Sequence, residues 1–299
     1  SGNSGSYRWV TSGSNAGTVF HNGALELERS VKFDNFGNLR GGSASDRFLI
    51  NHAISGVIDG GLGEDFADYS QNLENIDVNL GAGGLGLNGL INVEGVIGNY
   101  TPGGVFKSVL NGHNSDTEWF IGSSMSGIDG VNDGYVTIGG VRTYFENFSD
   151  IKAGQGSDTF KYLTNGKWLG TIDGGQGVNT IETTGSSLDQ VFGVFDTSLN
   201  QSTLLTNIND IRVNTSVNNS LVSTARSNNI EIDQQGRGVI NNTLSFSGID
   251  TIITGEFNDA FKLANTDQLT GKIVAGAGRD TLDLTSVNKL ITVSLNTAK

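Results

Sequence analysis

Aspartates stand at matching places in a series of glycine turns, and that is where this chain could do chemistry. Asp46 closes the turn GGSASD, Asp158 closes AGQGSD and Asp259 closes GEFND, each two residues before a phenylalanine (Phe48, Phe160, Phe261). A second turn follows each of these. Asp65 comes 19 residues after Asp46, Asn179 comes 21 after Asp158, and Asp280 comes 21 after Asp259. Carboxylates beside the carbonyls of glycine turns are hard oxygen donors, and Ca²⁺ collects six to eight of those. The same residues have a purely structural use. Asp and Asn close Asx-type turns by bonding their own backbone, and stacked copies of such turns form a ladder.

The elements that carry these turns repeat at two scales. At the longer scale, three stretches about a hundred residues apart share one pattern: residues 31–50, 143–162 and 244–263. Each opens with apolar residues spaced by three, namely Phe33, Phe36 and Leu39; Phe145, Phe148 and Ile151; Phe246, Ile249 and Ile252. Weaker copies stand at Leu90, Val93 and Val96 and at Leu205, Ile208 and Ile211. At the shorter scale, the glycine turns return every ~20 residues, the length of one coil of a stacked repeat. Gly is 44 of 299 residues and Pro occurs once, while short Ile/Val/Leu/Phe clusters are punctuated by Gly, Asn, Asp and Ser. That punctuation predicts many short strands with tight turns, and no helical periodicity longer than two turns is present.

The predicted fold is all-β: a parallel β-helix, or β-solenoid, of ~20-residue coils. Val57, Ile172 and Ile273 would stack on like residues of neighbouring coils. A right-handed winding fits the general preference for right-handed parallel crossovers. About 15 coils at ~4.8 Å would make a rod on the order of 70 Å long. Residues 1–299 read as one continuous segment, cut from a larger protein at both ends. Within it, glycine turns thin out over residues 185–229, which predicts atypical coils or a loop carried on the rod.

Composition removes several function classes. Lys and Arg number 18 against 31 Asp and Glu, a net charge of −13. Nucleic acid is not an expected partner, because that affinity rests on basic side chains. There is no Cys, so disulfides, thiolate zinc sites and thiol catalysis are absent. The three His (His21, His52, His113) share no metal-ligand spacing. No apolar run is long enough to span a membrane. No nucleophile elbow is present, and the stretch from Gly84 to Gly95 lacks the Lys of a phosphate loop.

The turns DGGLGED, AGQGSD, DGGQGVN and AGAGRD resemble the glycine–aspartate nonapeptides of calcium-binding haemolysin-type repeats. In that family two turns one coil apart hold Ca²⁺ between them. The resemblance therefore implies Asp46, Asp59, Asp65, Asp158, Asp173, Asp259 and Asp280 as candidate calcium ligands, with the Asp46/Asp65 level the best supplied. This sequence departs from the family at Asn179, which replaces a carboxylate, and in GGSASD and GEFND, which lack glycines. More broadly, SFSGIDTIITG, FENFSDIKAGQGSDTF and LGTIDGGQG resemble the repeats of filamentous-haemagglutinin-like adhesins. That likeness implies a secreted or cell-surface protein of Gram-negative bacteria that serves attachment and virulence. Its expected partner is a glycan or protein of a host or bacterial cell surface.

Two other readings use the same residues. The stalk or receptor-binding segment of an exported toxin would have the same repeats. A polysaccharide lyase or hydrolase on a β-helix would use paired carboxylates, for which Glu64, Asp65 and Asp68 or Asp129 and Asp133 are available. Trp9, Trp119, Trp168 and Tyr162 would form a sugar-binding strip if they aligned on one outer side; the alternative is that some of them plug the coil interior or cover an end.

Overall fold

The computed structural model describes residues 5–22, 29–80, 83–84, 89–101, 103–123, 130–138, 140–195, 202–233, 237–264 and 271–288. Among these the chain is all-β, with 30 strands and no helix. The strands fall into three successive units. The first holds β1 (Ser6–Gly13), β2 (Ala16–Asn22), β3 (Arg29–Phe33), β4 (Leu39–Arg40), β5 (Arg47–Leu49), β6 (Val57–Asp59), β7 (Phe66–Asp68), β8 (Ile76–Asn79), β9 (Gly83–Gly84), β10 (Gly89–Ile91), β11 (Gly95–Ile97) and β12 (Ser108–Asn111). The second holds β13 (Glu118–Ile121), β14 (Asp133–Ile138), β15 (Val141–Glu146), β16 (Asp150–Lys152), β17 (Thr159–Tyr162), β18 (Gly170–Asp173), β19 (Thr180–Glu182), β20 (Val191–Val194), β21 (Thr203–Thr206), β22 (Asp210–Arg212) and β23 (Ser220–Ser223). The third holds β24 (Asn229–Ile232), β25 (Gly238–Ile240), β26 (Leu244–Ser247), β27 (Thr251–Thr254), β28 (Ala260–Ala264), β29 (Lys272–Val274) and β30 (Thr281–Ser286).

The chain alternates between two faces. One face is a 17-stranded sheet in the order β3, β2, β1, β5, β7, β11, β15, β14, β13, β17, β19, β22, β26, β25, β24, β28, β30. The other face holds β4, β6 and β10 in one sheet. It also holds a ten-stranded sheet in the order β9, β8, β12, β16, β18, β21, β20, β23, β27, β29. Buried side chains from both faces form one hydrophobic cluster, so the core lies between the sheets. Where coils follow one another directly, the parallel partner lies about one coil on, as from Arg47 to Phe66 or from Thr159 to Thr180. Long parallel sheets visited in alternation are compatible with a β-solenoid.

The long repeat marks something that coils alone do not explain. Each unit opens with an antiparallel meander: β1–β2–β3, β13–β14–β15 and β24–β25–β26. The chain steps ahead along the sheet, fills two rungs backwards, then resumes beyond the first. Each meander thus takes three rungs in one pass, and the stack holds fewer coils than its rungs suggest.

The repeated phenylalanines hold these reversals together. Phe33, Phe145 and Phe246 lie on the third strand, each opposite a glycine of the middle strand: Gly17, Gly134 and Gly238. A Cβ at Gly134 would come within 2.6 Å of the Phe145 ring, and one at Gly238 within 2.1 Å of the Phe246 ring. The ring crosses the bare strand to reach the first strand. Phe33 meets Trp9 and Phe145 meets Trp119, both at 5.9 Å between centroids. Trp9 then stacks on Phe48 and Trp119 on Phe160, one coil further on.

The apolar triplets mark the corners between the two faces. A left-handed residue stands between the first and second members of all five: Asn35, Asn92, Asn147, Asn207 and Gly248, with φ from 51° to 78°. Asn and Gly tolerate that conformation, so the corner turns there without large strain.

Candidate functional site

The seven candidate ligands divide into an inner set and an outer set. Asp46, Asp65, Asp158 and Asp259 are buried, as is Asn179. The structure brings together the pairs that the spacing suggested, and the link is a hydrogen bond between coils. The Asp46 amide donates to Asp65 Oδ1 (2.6 Å), and the Asp65 amide to Glu94 Oε2 (2.8 Å). In the second unit the Asp158 amide donates to Asn179 Oδ1 (2.9 Å), and the Asn179 amide to Asn209 Oδ1 (2.8 Å). In the third, Asn228 donates to Asp259 Oδ1 (2.8 Å) and Asp259 to Asp280 Oδ1 (3.0 Å). Each side chain therefore caps the backbone of the coil before it. Bonding within one turn, as at Asp46 with the Gly42 amide (2.6 Å), is only part of the arrangement.

Asp59 and Asp173, at the ends of β6 and β18, form the outer set together with Asp280, which is exposed in the turn before β30. Asp59 pairs with Arg40 (3.1 Å) and accepts from Asn92 Nδ2 (2.8 Å). Asp173 accepts from Asn207 Nδ2 (2.7 Å) and from the Gly175 amide (3.0 Å). Both thus tie a strand end to an Asn corner.

Burial leaves some ladder oxygens without partners of good geometry: Asp65 Oδ2, Asp259 Oδ2 and both oxygens of Asp158. These are the free lone pairs a cation or a proton could use. Burial raises the Asp65 carboxyl to about 6; the Asp46 amide opposes that rise, and the charges of Asp46, Glu94 and Asp59 add to it. Burial also raises Asp158 to about 6, against lowering by Thr117 and Trp119, which lie close without forming well-aligned bonds.

Other sequence candidates have structural places. Asp68 is buried and held by Arg47 Nε and Nη2 at 2.7 and 2.6 Å. Glu64 is exposed, Asp133 is buried, and Asp129 lies outside the described residues. Of the two readings of the tryptophans, the structure takes the one in which they plug the interior, not the outer strip. Trp119, Trp168 and Tyr162 are fully buried core residues, and Trp9 is half-buried against Phe33 and Phe48. Aromatic bulk of this kind fills the space between the sheets.

A different aromatic row lies on the outer side of the 17-stranded sheet. Across adjacent rungs it runs Phe66, Gly95, Tyr144, Tyr135, Phe120 and Lys161. Phe120 stacks on Tyr135 at 4.5 Å, Tyr144 lies 5.7 Å from Tyr135, and the Arg142 guanidinium covers Tyr135 at 4.1 Å. Lys161 closes the far end, 5.5 Å over Phe120. Strand alternation was the available signal: Phe120 follows the buried Trp119, and Tyr144 precedes the buried Phe145, so they point the opposite way. Further along the same sheet, a shallow groove of about 590 Å³ is lined by charged side chains including Arg212, Glu231, Asp233, Arg237 and Lys262.

No family model, curated protein or solved structure matches the chain. Among the described residues no helix is long and apolar enough to cross a membrane.

Proposed function

We propose that this chain is a rod segment of a secreted or cell-surface bacterial adhesin, a right-handed β-solenoid that extends and presents a contact surface. The observation that carries this reading is the single 17-stranded sheet running through all three units over one core. A repeat stack of that kind displays long faces, and such proteins bind along those faces. The contact surface is the outer row of Phe66, Tyr144, Tyr135 and Phe120 with Arg142 and Lys161. Ring edges, tyrosine hydroxyls and cations together suit the apolar faces and acidic groups of a cell-surface glycan. The aspartate ladder fastens coil to coil through Oδ1 of Asp65, Asp259 and Asp280, each of which accepts a backbone amide.

The test is binding of the labelled chain to a glycan array and to whole cells. Replacing Phe120, Tyr135 and Arg142 together by Ser should abolish binding while leaving the melting transition cooperative. Equal binding by the triple variant would reject this surface.

A further inference from the structure

We infer that the outer edge of β3 is a docking edge for one more parallel strand, of the kind that β11 and β22 supply, from a repeat unit set ahead of β1. The inference deepens the reading of the chain as an extending rod and rests on it.

The internal repeat shows what such an edge holds. β15 and β26 are, like β3, the third strands of their meanders. Each carries a parallel strand on its outer side, with Val96 opposite Phe145 and Ile211 opposite Phe246. The flanking bonds also correspond. The Tyr144 amide donates to the Glu94 carbonyl (2.7 Å), and the Ser245 amide to the Asn209 carbonyl (2.9 Å). Two residues beyond the aliphatic, the Gly98 amide donates to the Glu146 carbonyl (2.8 Å), and the Val213 amide to the Ser247 carbonyl (3.1 Å).

On β3 the same places belong to Lys32, Phe33 and Asp34. Lys32 faces Thr18 across the hairpin as Tyr144 faces Tyr135 and Ser245 faces Val239. Among the described residues β3 pairs with β2 alone. The apolar groups that a further rung would cover stand open. Val31 is 65% and Phe36 59% exposed, whereas Phe148, in the place of Phe36, is fully buried. An uncovered edge of this kind is a template for strand addition.

These features define the occupant. It runs parallel to β3 and sets a Val or Ile opposite Phe33. Its carbonyl two residues earlier accepts from the Lys32 amide, and its amide two residues later donates to the Asp34 carbonyl. A second copy of the first unit supplies all of this through its own β11. Because Trp9 and Trp119 hold equivalent places, that copy is residues 1–110, joined directly ahead of Ser1.

The experiment fuses this copy to the chain and follows amide hydrogen exchange at Lys32 of the original unit. Docking should slow that exchange on the order of 100-fold, since the amide passes from an open edge to an interior rung. Val96→Asp in the added copy alone should abolish the slowing. Unchanged exchange in a fusion that scattering shows to be longer would overturn the docking edge and leave the rod reading intact. Should the fusion fail to fold, a peptide of residues 92–100 added to the original chain should slow the same amide, and Lys32→Pro should prevent that peptide from binding. A peptide without effect at millimolar concentration would overturn the inference.

Discussion

Asp65 occupies in the first unit the slot that Asn179 occupies in the second. Both accept an amide from the preceding coil through Oδ1. Asn179 also donates Nδ2 to the Asn207 carbonyl at 2.9 Å and to the Gln176 carbonyl at 3.1 Å. Asp65 sets Oδ2 in the corresponding place. A Cβ at Gly60 would meet both that oxygen and the Asn92 carbonyl, as one at Gly174 would meet Asn179 Nδ2 and the Asn207 carbonyl. The slot offers one donor and needs one, so an amide fits it better than a carboxylate.

Asp65→Asn should therefore stabilise the chain at neutral pH, by roughly 1 kcal/mol for one added hydrogen bond. Thermal melting at pH 7.5 checks this. A lower melting temperature would mean that the carboxylate has another use.

Stability should also depend on pH in a definite direction. Asp65 and Asp158 are raised in the folded chain from 3.8 to about 6. The folded state therefore binds protons more readily than the unfolded one. Their contribution is full below about pH 4 and is lost as pH rises through about 6. Denaturant melts of the wild type and of Asp65→Asn/Asp158→Asn should differ most above pH 6 and converge near pH 4.

The glycines beneath the repeated phenylalanines should be intolerant of side chains. A Cβ at Gly134 would also approach the Phe120 carbonyl to 2.1 Å. Gly134→Val should cost about 1–3 kcal/mol or more through overpacking. Trp119→Ala, which empties the same stack, should cost about 3–5 kcal/mol. Tyr135→Ala, on the outer row, removes only cross-strand contacts, roughly 1 kcal/mol or less. Chemical denaturation of the three variants gives the ranking.

Calcium removal gives a further check on the ladder. With Oδ1 of Asp65, Asp259 and Asp280 already accepting backbone amides, chelator should leave the melting temperature unshifted. A drop reversed by added Ca²⁺ would assign a metal to the remaining lone pairs.

Much of the repeating geometry was legible in the sequence. The apolar triplets around Asn35, Asn92, Asn147, Asn207 and Gly248 are corners because the left-handed residue and its apolar flanks leave a local signature. The Asp-before-Phe signal is local too: Asp46 and Asp259 cap the neighbouring coil, and the Phe two positions on enters the core. The meanders were not legible. β14 and β15 form a hairpin in which Gly134 matters through Phe145 and Phe120, partners on two other strands. Side-chain direction was also hidden: Trp119 and Phe120 are adjacent aromatics, and only sheet pairing sends one inward and the other out. Asn179 reads as a departure from a calcium pattern, yet both polar atoms of its side chain are hydrogen-bonded.

Small-angle X-ray scattering of the chain tests the continuous rod most directly. A stack of 17 rungs spaced ~4.8 Å is ~80 Å long and should give a radius of gyration of roughly 25 Å with a rod-like profile. A compact globule of this length would give roughly 19 Å, and that value would contradict a single extended stack.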